Sequence, residues 1–139
     1  MPVDNTTLAI FGLIAWTLLL LVAIALMRTT ASTAGGRDAN SFSPNGDDLS
    51  PFSGRLCRAH ANCYEFLPFA LAAMLYAVAT DQAGITNGLA LIVLGARVGQ
   101  SAVHIISKSN LAVMLRFALL LPQVGIVLYW AAKFTFLQA

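Results

Sequence analysis

From Leu8 to Met27 the chain has no charged side chain, and about twenty such residues are what an α-helix needs to cross roughly 30 Å of hydrocarbon. A segment of that kind sets the solvent before any fold is considered. The remainder agrees with it: 58% of the 139 residues are hydrophobic and only 10% are charged, which does not suit a water-soluble domain of this length. A secretory leader would place cations before a shorter apolar run. Here Asp4 precedes the run and the first cation, Arg28, follows it, so a membrane span is expected, with cleavage near Ala34 as the lesser alternative.

Beyond this first stretch, about 7–28, three more apolar stretches cover about 55–80, 85–107 and 111–136. They predict an all-α integral membrane four-helix bundle, one membrane domain over 1–139. The intervening segment 29–54 is rich in Ser, Thr, Gly, Asn and Asp, with a turn signal at Pro44-Asn45-Gly46 and a helix start at Ser50-Pro51, and reads as a water-exposed loop. In it Asp47 and Asp48 read as solvated loop residues. Four spans bring both termini to one side. Arg28, Arg37, Arg55, Arg58 and Lys108 lie at or near the opposite side against Lys133 on the first, so the positive-inside bias expects a cytoplasmic 29–54 loop and outward termini. A net charge of +2, dispersed along the chain, gives no footprint for nucleic acid. Cys57 and Cys63 have no metal-ligand spacing around them and read as small apolar residues, while Pro68 and Pro122 predict kinks in span interiors.

The chemistry lies in the polar residues of the second and third spans. At 100° per residue Arg55, Arg58, Asn62, Glu65 and Phe69 fall within about 80° of one another, and Arg97, Gln100 and His104 form a like stripe. His60 falls on the opposite face of its helix. Antiparallel spans place Arg58 level with His104, Asn62 with Gln100 and Glu65 with Arg97, the last pair roughly 15 Å inside the helix ends. A lone carboxylate or guanidinium at that depth costs several kcal/mol, so such groups pair or line an aqueous cavity. Glu65 and Arg97 are expected to do both, lining a pocket open to the cytoplasm. The blander alternative is an interhelical clamp, with Asn62 and Gln100 as glue. Gly88, Gly95, Gly99 and Ala102 share the reverse face of the third span, which suits close helix contact. Arg116, about one turn inside the fourth span, either snorkels to the surface or joins the site.

The segment from Arg55 to Phe69 resembles the helix-two signature of the MAPEG family, membrane-associated proteins of eicosanoid and glutathione metabolism. Its R-x-x-x-N-x-x-E-x-x-P spacing is kept in full by Arg58, Asn62, Glu65 and Pro68, and Gly95-Ala96-Arg97-Val98 resembles the family's helix-three arginine segment. The resemblance implies a homotrimer, in a bacterial inner membrane, that binds glutathione as co-substrate between neighbouring chains through Arg58, Asn62, Glu65 and Arg97. Gln100 and Arg55 complete the expected set. The chemistry matches: glutathione offers carboxylates to Arg, an ammonium to Glu65 and amides to Asn62 and Gln100. The implied activity is a membrane-bound transferase or peroxidase acting on a hydrophobic electrophile or lipid hydroperoxide. It requires the glutathione thiolate, which a nearby cation or hydrogen-bond donor stabilises. The chain departs from the family here: His104 and Gln100 stand at tyrosine positions, and the family's helix-four arginine falls near 111–113, one turn before Arg116. His104 is the candidate replacement donor. Alternatives are a non-catalytic MAPEG-fold protein that binds glutathione or another small anion, or uses the polar ladder for assembly alone. An ion pathway ranks last, because the polar groups stop at mid-depth.

Overall fold

The computed structural model describes residues 3–136. They form α1 (Asn5–Thr33), α2 (Pro51–Ala79), α3 (Ala83–Ile106) and α4 (Asn110–Phe136), each long and apolar enough to cross a membrane, and no strand occurs among the described residues. The helix starts follow local chemistry. Asp4 caps α1 by accepting from the Thr7 amide at 2.7 Å. Ser50 caps α2 by accepting from the Ser53 amide at 3.0 Å, with Pro51 in the first turn, where its missing N–H costs nothing.

The helices outrun the apolar stretches. α1 continues through Thr29 to Thr33, and α2 already starts at Pro51, so the non-helical connection is 34–50 rather than 29–54. The extra turn of α1 is polar, and its Thr30 and Thr33 hydroxyls donate to the carbonyls one turn back, each at 2.8 Å. α2 and α4 run on through Pro68 and Pro122 without a break in helix.

α3 packs against all three other helices, and α4 leans mainly on α3. Close approach uses small residues: Ala9, Ala59, Ala70, Ala77 and Ala90 are all fully buried. Gly12 admits the Leu94 side chain to within 2.6 Å of where a Cβ would stand. Near the termini, Ala9, Leu13, Phe66, Met74, Val93 and Trp130 make a dry core, while toward the loop Leu20, Ile24, Leu56, Cys57, Ala59 and Cys63 make a second. The terminal ends of α1 and α3 are joined by a polar knot, Thr6 Oγ1 to Thr86 Oγ1 and to Asn87 Oδ1, each at 2.7 Å. The glycine face of α3 is left uncovered within the chain: a Cβ at Gly88 or Gly95 would meet nothing, and at Gly99 only Leu119, at 3.8 Å. That face turns away from the rest of the chain.

The 34–50 connection is folded around Arg37. Its guanidinium pairs with Asp48, donates to the Asp48 and Ser41 carbonyls at 3.1 Å each, and lies 4.6 Å over the Phe42 ring. Asp48 also accepts from the Ser43 amide at 3.0 Å. It is therefore a lock within the loop and not a merely solvated charge, which corrects the sequence expectation for that residue. The Ser43 amide, with help from Arg37, holds the Asp48 carboxyl below the ordinary carboxylate range. A depressed pKa stabilises the fold above the unfolded carboxyl pKa and ceases to do so as pH falls through the folded one. Amide-exchange protection at Ser43, measured against Asp48→Asn, should accordingly be present at neutral pH and vanish in acid, below the usual aspartate range; equal protection in the two proteins would remove the lock.

Candidate functional site

The site is built where α2, α3 and α4 meet in the loop-side half of the bundle. On α2, Ala59, Cys63 and Phe66 are buried, which turns the edge of the polar stripe that carries Asn62 toward α3. Arg97 enters from α3 and is only 2% exposed. Its Nη1 donates to the Asn62 carbonyl at 2.9 Å and to Asn62 Oδ1 at 3.2 Å, and its guanidinium lies 4.3 Å over the Phe66 ring. One turn toward the loop, Asn62 Nδ2 meets His104 Nε2 at 2.8 Å. Asn62 thus bridges the residues on either side of Gln100, the antiparallel register read from the sequence. Cys63 Sγ to Ser101 Oγ at 3.1 Å and Arg55 Nε to the Ile105 carbonyl at 2.7 Å keep the same register.

The expected Glu65–Arg97 pair is not formed. Glu65 is exposed, and it makes no hydrogen bond or ion pair among the described residues. The reason is azimuthal: Arg97 takes the Asn62 carbonyl and the Phe66 face, and these residues lie on the side of the stripe toward α3, whereas Glu65 lies on the other side. There it heads a groove of about 410 Å3 between α2 and α4, lined by Asn62, Phe66, Phe69, Leu120, Val124 and Leu128 among others.

A second hollow, about 270 Å3, opens among the loop-side ends of α2, α3 and α4 and is lined by Arg55, Arg58, His104, Lys108, Val113 and Arg116. Every ionisable group on its wall is basic. Arg116 belongs to it, with Nη1 at 2.8 Å from His104 Nδ1, rather than snorkelling away. Arg58 makes no hydrogen bond or ion pair among the described residues. It also borders a separate hollow of about 330 Å3 on the α1 side, which contains Arg28, His60 and Tyr64, so His60 stands apart from the site.

The structure therefore brings Arg55, Arg58 and His104 to the cup and Glu65 to the groove, with Asn62 between them. Arg97 and Gln100 lie behind, each 2% exposed. Gln100 Oε1 accepts from Gln123 Nε2 at 3.1 Å, and Gln123 also donates to the Leu119 carbonyl at 2.6 Å. Gln123 was not singled out in the sequence. The available signal was that Arg116 and Gln123, seven apart and so on one helix face, are rare polar residues within an apolar span.

Chemically, the arrangement can hold anionic groups in the cup, a cation at Glu65 and an apolar body in the groove. Compared with known proteins, residues 6–135 match the MAPEG family model. No curated protein and no solved structure gives a significant match.

Because Arg97 serves both a buried carbonyl and an aromatic face, Arg97→Leu should cost roughly 1.5–3 kcal/mol, the worth of a hydrogen bond to a charged group. Thermal unfolding in detergent reads this. A midpoint equal to that of the parent chain would show that the contact carries no stability.

Proposed function

Since the chain belongs to the MAPEG family, we propose that it is a membrane-bound glutathione-dependent enzyme, a transferase or peroxidase acting on hydrophobic electrophiles or lipid hydroperoxides. The observation that carries this reading is a separation of charge. A cup whose ionisable wall groups are all basic lies toward the loop, and an unpartnered carboxylate, Glu65, stands about two turns deeper than Arg58 at the head of an apolar groove. Glutathione has the complementary pattern. Its carboxylates suit Arg55 and Arg58, its ammonium suits Glu65, and its amides suit Asn62. Arg97 and Gln100 support this wall from behind, and the Arg97 Nε and Nη2, buried and unpartnered among the described residues, add donors to the same region.

In this reading the 34–50 loop is cytoplasmic, and glutathione enters the cup from that side. The thiol loses its proton, and His104 stabilises the thiolate. The thiolate then either forms a C–S bond with an electrophile arriving through the groove, or attacks a peroxide oxygen. In the first case the leaving group departs with the bonding pair, or the electrophile's carbon takes up the proton lost by the thiol. In the second the O–O bond breaks, sulfur is oxidised to the sulfenic acid, and the departing alkoxide takes up a proton to leave as the alcohol. A second glutathione then reduces the sulfenic acid, giving the disulfide and water. A homotrimer fits as well. An exposed carboxylate within a span is expensive against lipid, so Glu65 calls for cover, and a neighbouring copy with glutathione between the chains supplies it.

Assembly alone is the second reading, and one observation favours it: the hydrogen bonds that Arg97 makes, both through Nη1, and its aromatic contact all join α2 to α3. Glutathione titration of the purified protein, with ultraviolet detection of thiolate, separates the two. The parent chain should bind and show the thiolate band, and Glu65→Gln should weaken binding by about tenfold with the oligomer intact, one charge-assisted hydrogen bond being lost. Binding without thiolate or turnover would remove the enzyme while sparing the site. Dissociation of Glu65→Gln, with no glutathione binding in the parent, would favour assembly.

A further inference from the structure

Three contacts run in series through the site: Arg97 Nη1 to Asn62 Oδ1 at 3.2 Å, Asn62 Nδ2 to His104 Nε2 at 2.8 Å, and His104 Nδ1 to Arg116 Nη1 at 2.8 Å. A guanidinium only donates, whereas a carboxamide and a neutral imidazole each offer one donating and one accepting edge. Counting from Arg97, Asn62 accepts through Oδ1 and donates through Nδ2. His104 then accepts at Nε2, which leaves the hydrogen on Nδ1, facing the N–H of Arg116. Turning the amide round moves the conflict to the Arg97 end, and a protonated imidazole adds another donor. With donors at both ends, one junction in the series must set N–H against N–H, whatever the tautomer.

Burial decides which junction yields. Arg97 is 2% exposed, and the Asn62 carbonyl also holds its Nη1 at 2.9 Å. Arg116 is only part-buried and stands on the wall of the cup. Around that junction the cup presents Arg55, Arg58 and Lys108, and no carboxylate lines it.

We propose that the His104–Arg116 junction is an anion site: an anionic group of the ligand enters between them and accepts from both His104 Nδ1–H and the Arg116 guanidinium. The missing acceptor then comes from the ligand, and the whole series becomes satisfied. Carboxylate, thiolate and small oxyanions share this chemistry. For glutathione, and resting on the glutathione reading, the site orients the ligand, with an anionic group at His104 and Arg116 and the ammonium about two turns deeper at Glu65. Arg116 thereby becomes a contact residue, which the family-like segments of the sequence do not include.

Nitrogen-15 spectra of the full chain in detergent micelles, with His60→Gln to assign the other imidazole, report the His104 tautomer directly. Saturating glutathione, and separately inorganic phosphate, should fix His104 as the Nδ1–H form with a hydrogen-bonded proton. Arg116→Gln should weaken glutathione by about tenfold or more, and Arg116→Lys by less, since a lysine keeps the charge without the planar fork. S-methylglutathione identifies the occupant: the same His104 response means a carboxylate, and its loss means the thiolate. Should glutathione bind while His104 stays unchanged or takes the Nε2–H form, the site is overturned and the glutathione reading survives. Phosphate shifting His104 where glutathione does not bind keeps the site and removes that reading. Silence from both ligands sinks the two together.

Discussion

A guanidinium sealed into an apolar bundle is the constraint on which the other polar residues depend. Arg97 is placed where an unpaired charge would cost several kcal/mol, and what compensates it is a helix carbonyl with a spare lone pair and a phenyl face, both supplied by α2. Because the carbonyl belongs to the backbone at Asn62, the contact sets the axial register of α2 against α3. The carboxamide of the same residue then becomes the next link, reaching His104. Ser101 ties the arrangement back, donating to the Arg97 carbonyl at 2.9 Å while its hydroxyl meets Cys63. A chain of side chains that begins in the driest part of the interface thus ends at a basic cup.

Depth was legible in the sequence, and azimuth was not. Counting along two antiparallel helices puts Arg58, Asn62 and Glu65 level with His104, Gln100 and Arg97, and the contacts of Asn62, Cys63 and Arg55 keep that register. A stripe about 80° wide has two edges, however, and spacing alone cannot say which one meets α3. That choice is made by Phe66, an apolar residue that no polar ladder would include, because its ring covers the Arg97 guanidinium. Glu65, one position earlier, is carried to the other edge. The family resemblance did not expose this either, since a motif records residue types and spacing and leaves out which side chain a buried cation selects.

Other features were hidden for other physical reasons. The Gly88–Gly95–Gly99 face fits helix contact by composition, but small residues on a span's surface look the same whether the face meets another helix or not, and this one stays open within the chain. The Arg37–Asp48 lock joins residues across an irregular loop, where no periodicity reports proximity. In α4 the apolar residues surround the helix, so hydropathy says that it spans and conceals which side is inside. Only its rare polar residues carry that information.

Those residues also account for the groove. In α4 the most apolar window is just 11% buried, against 28% for α1 and α3, and its apolar packing on the core lies toward the termini, at Trp130, Ile126 and Val127. Arg116 to His104 and Gln123 to Gln100 tie it to α3 at two levels, on one face. Held there, α4 presents Leu120, Val124 and Leu128 across a gap to α2 instead of closing on it, and the gap is the groove that Glu65 heads. If Arg116 and Gln123 were apolar, the loop-side half of α4 would lose its hydrogen-bonded ties to α3 and would be free to settle against Phe66 and Phe69 and fill the space. The polar groups that look costly in a membrane helix are in this way what keeps an apolar cavity open beside a carboxylate.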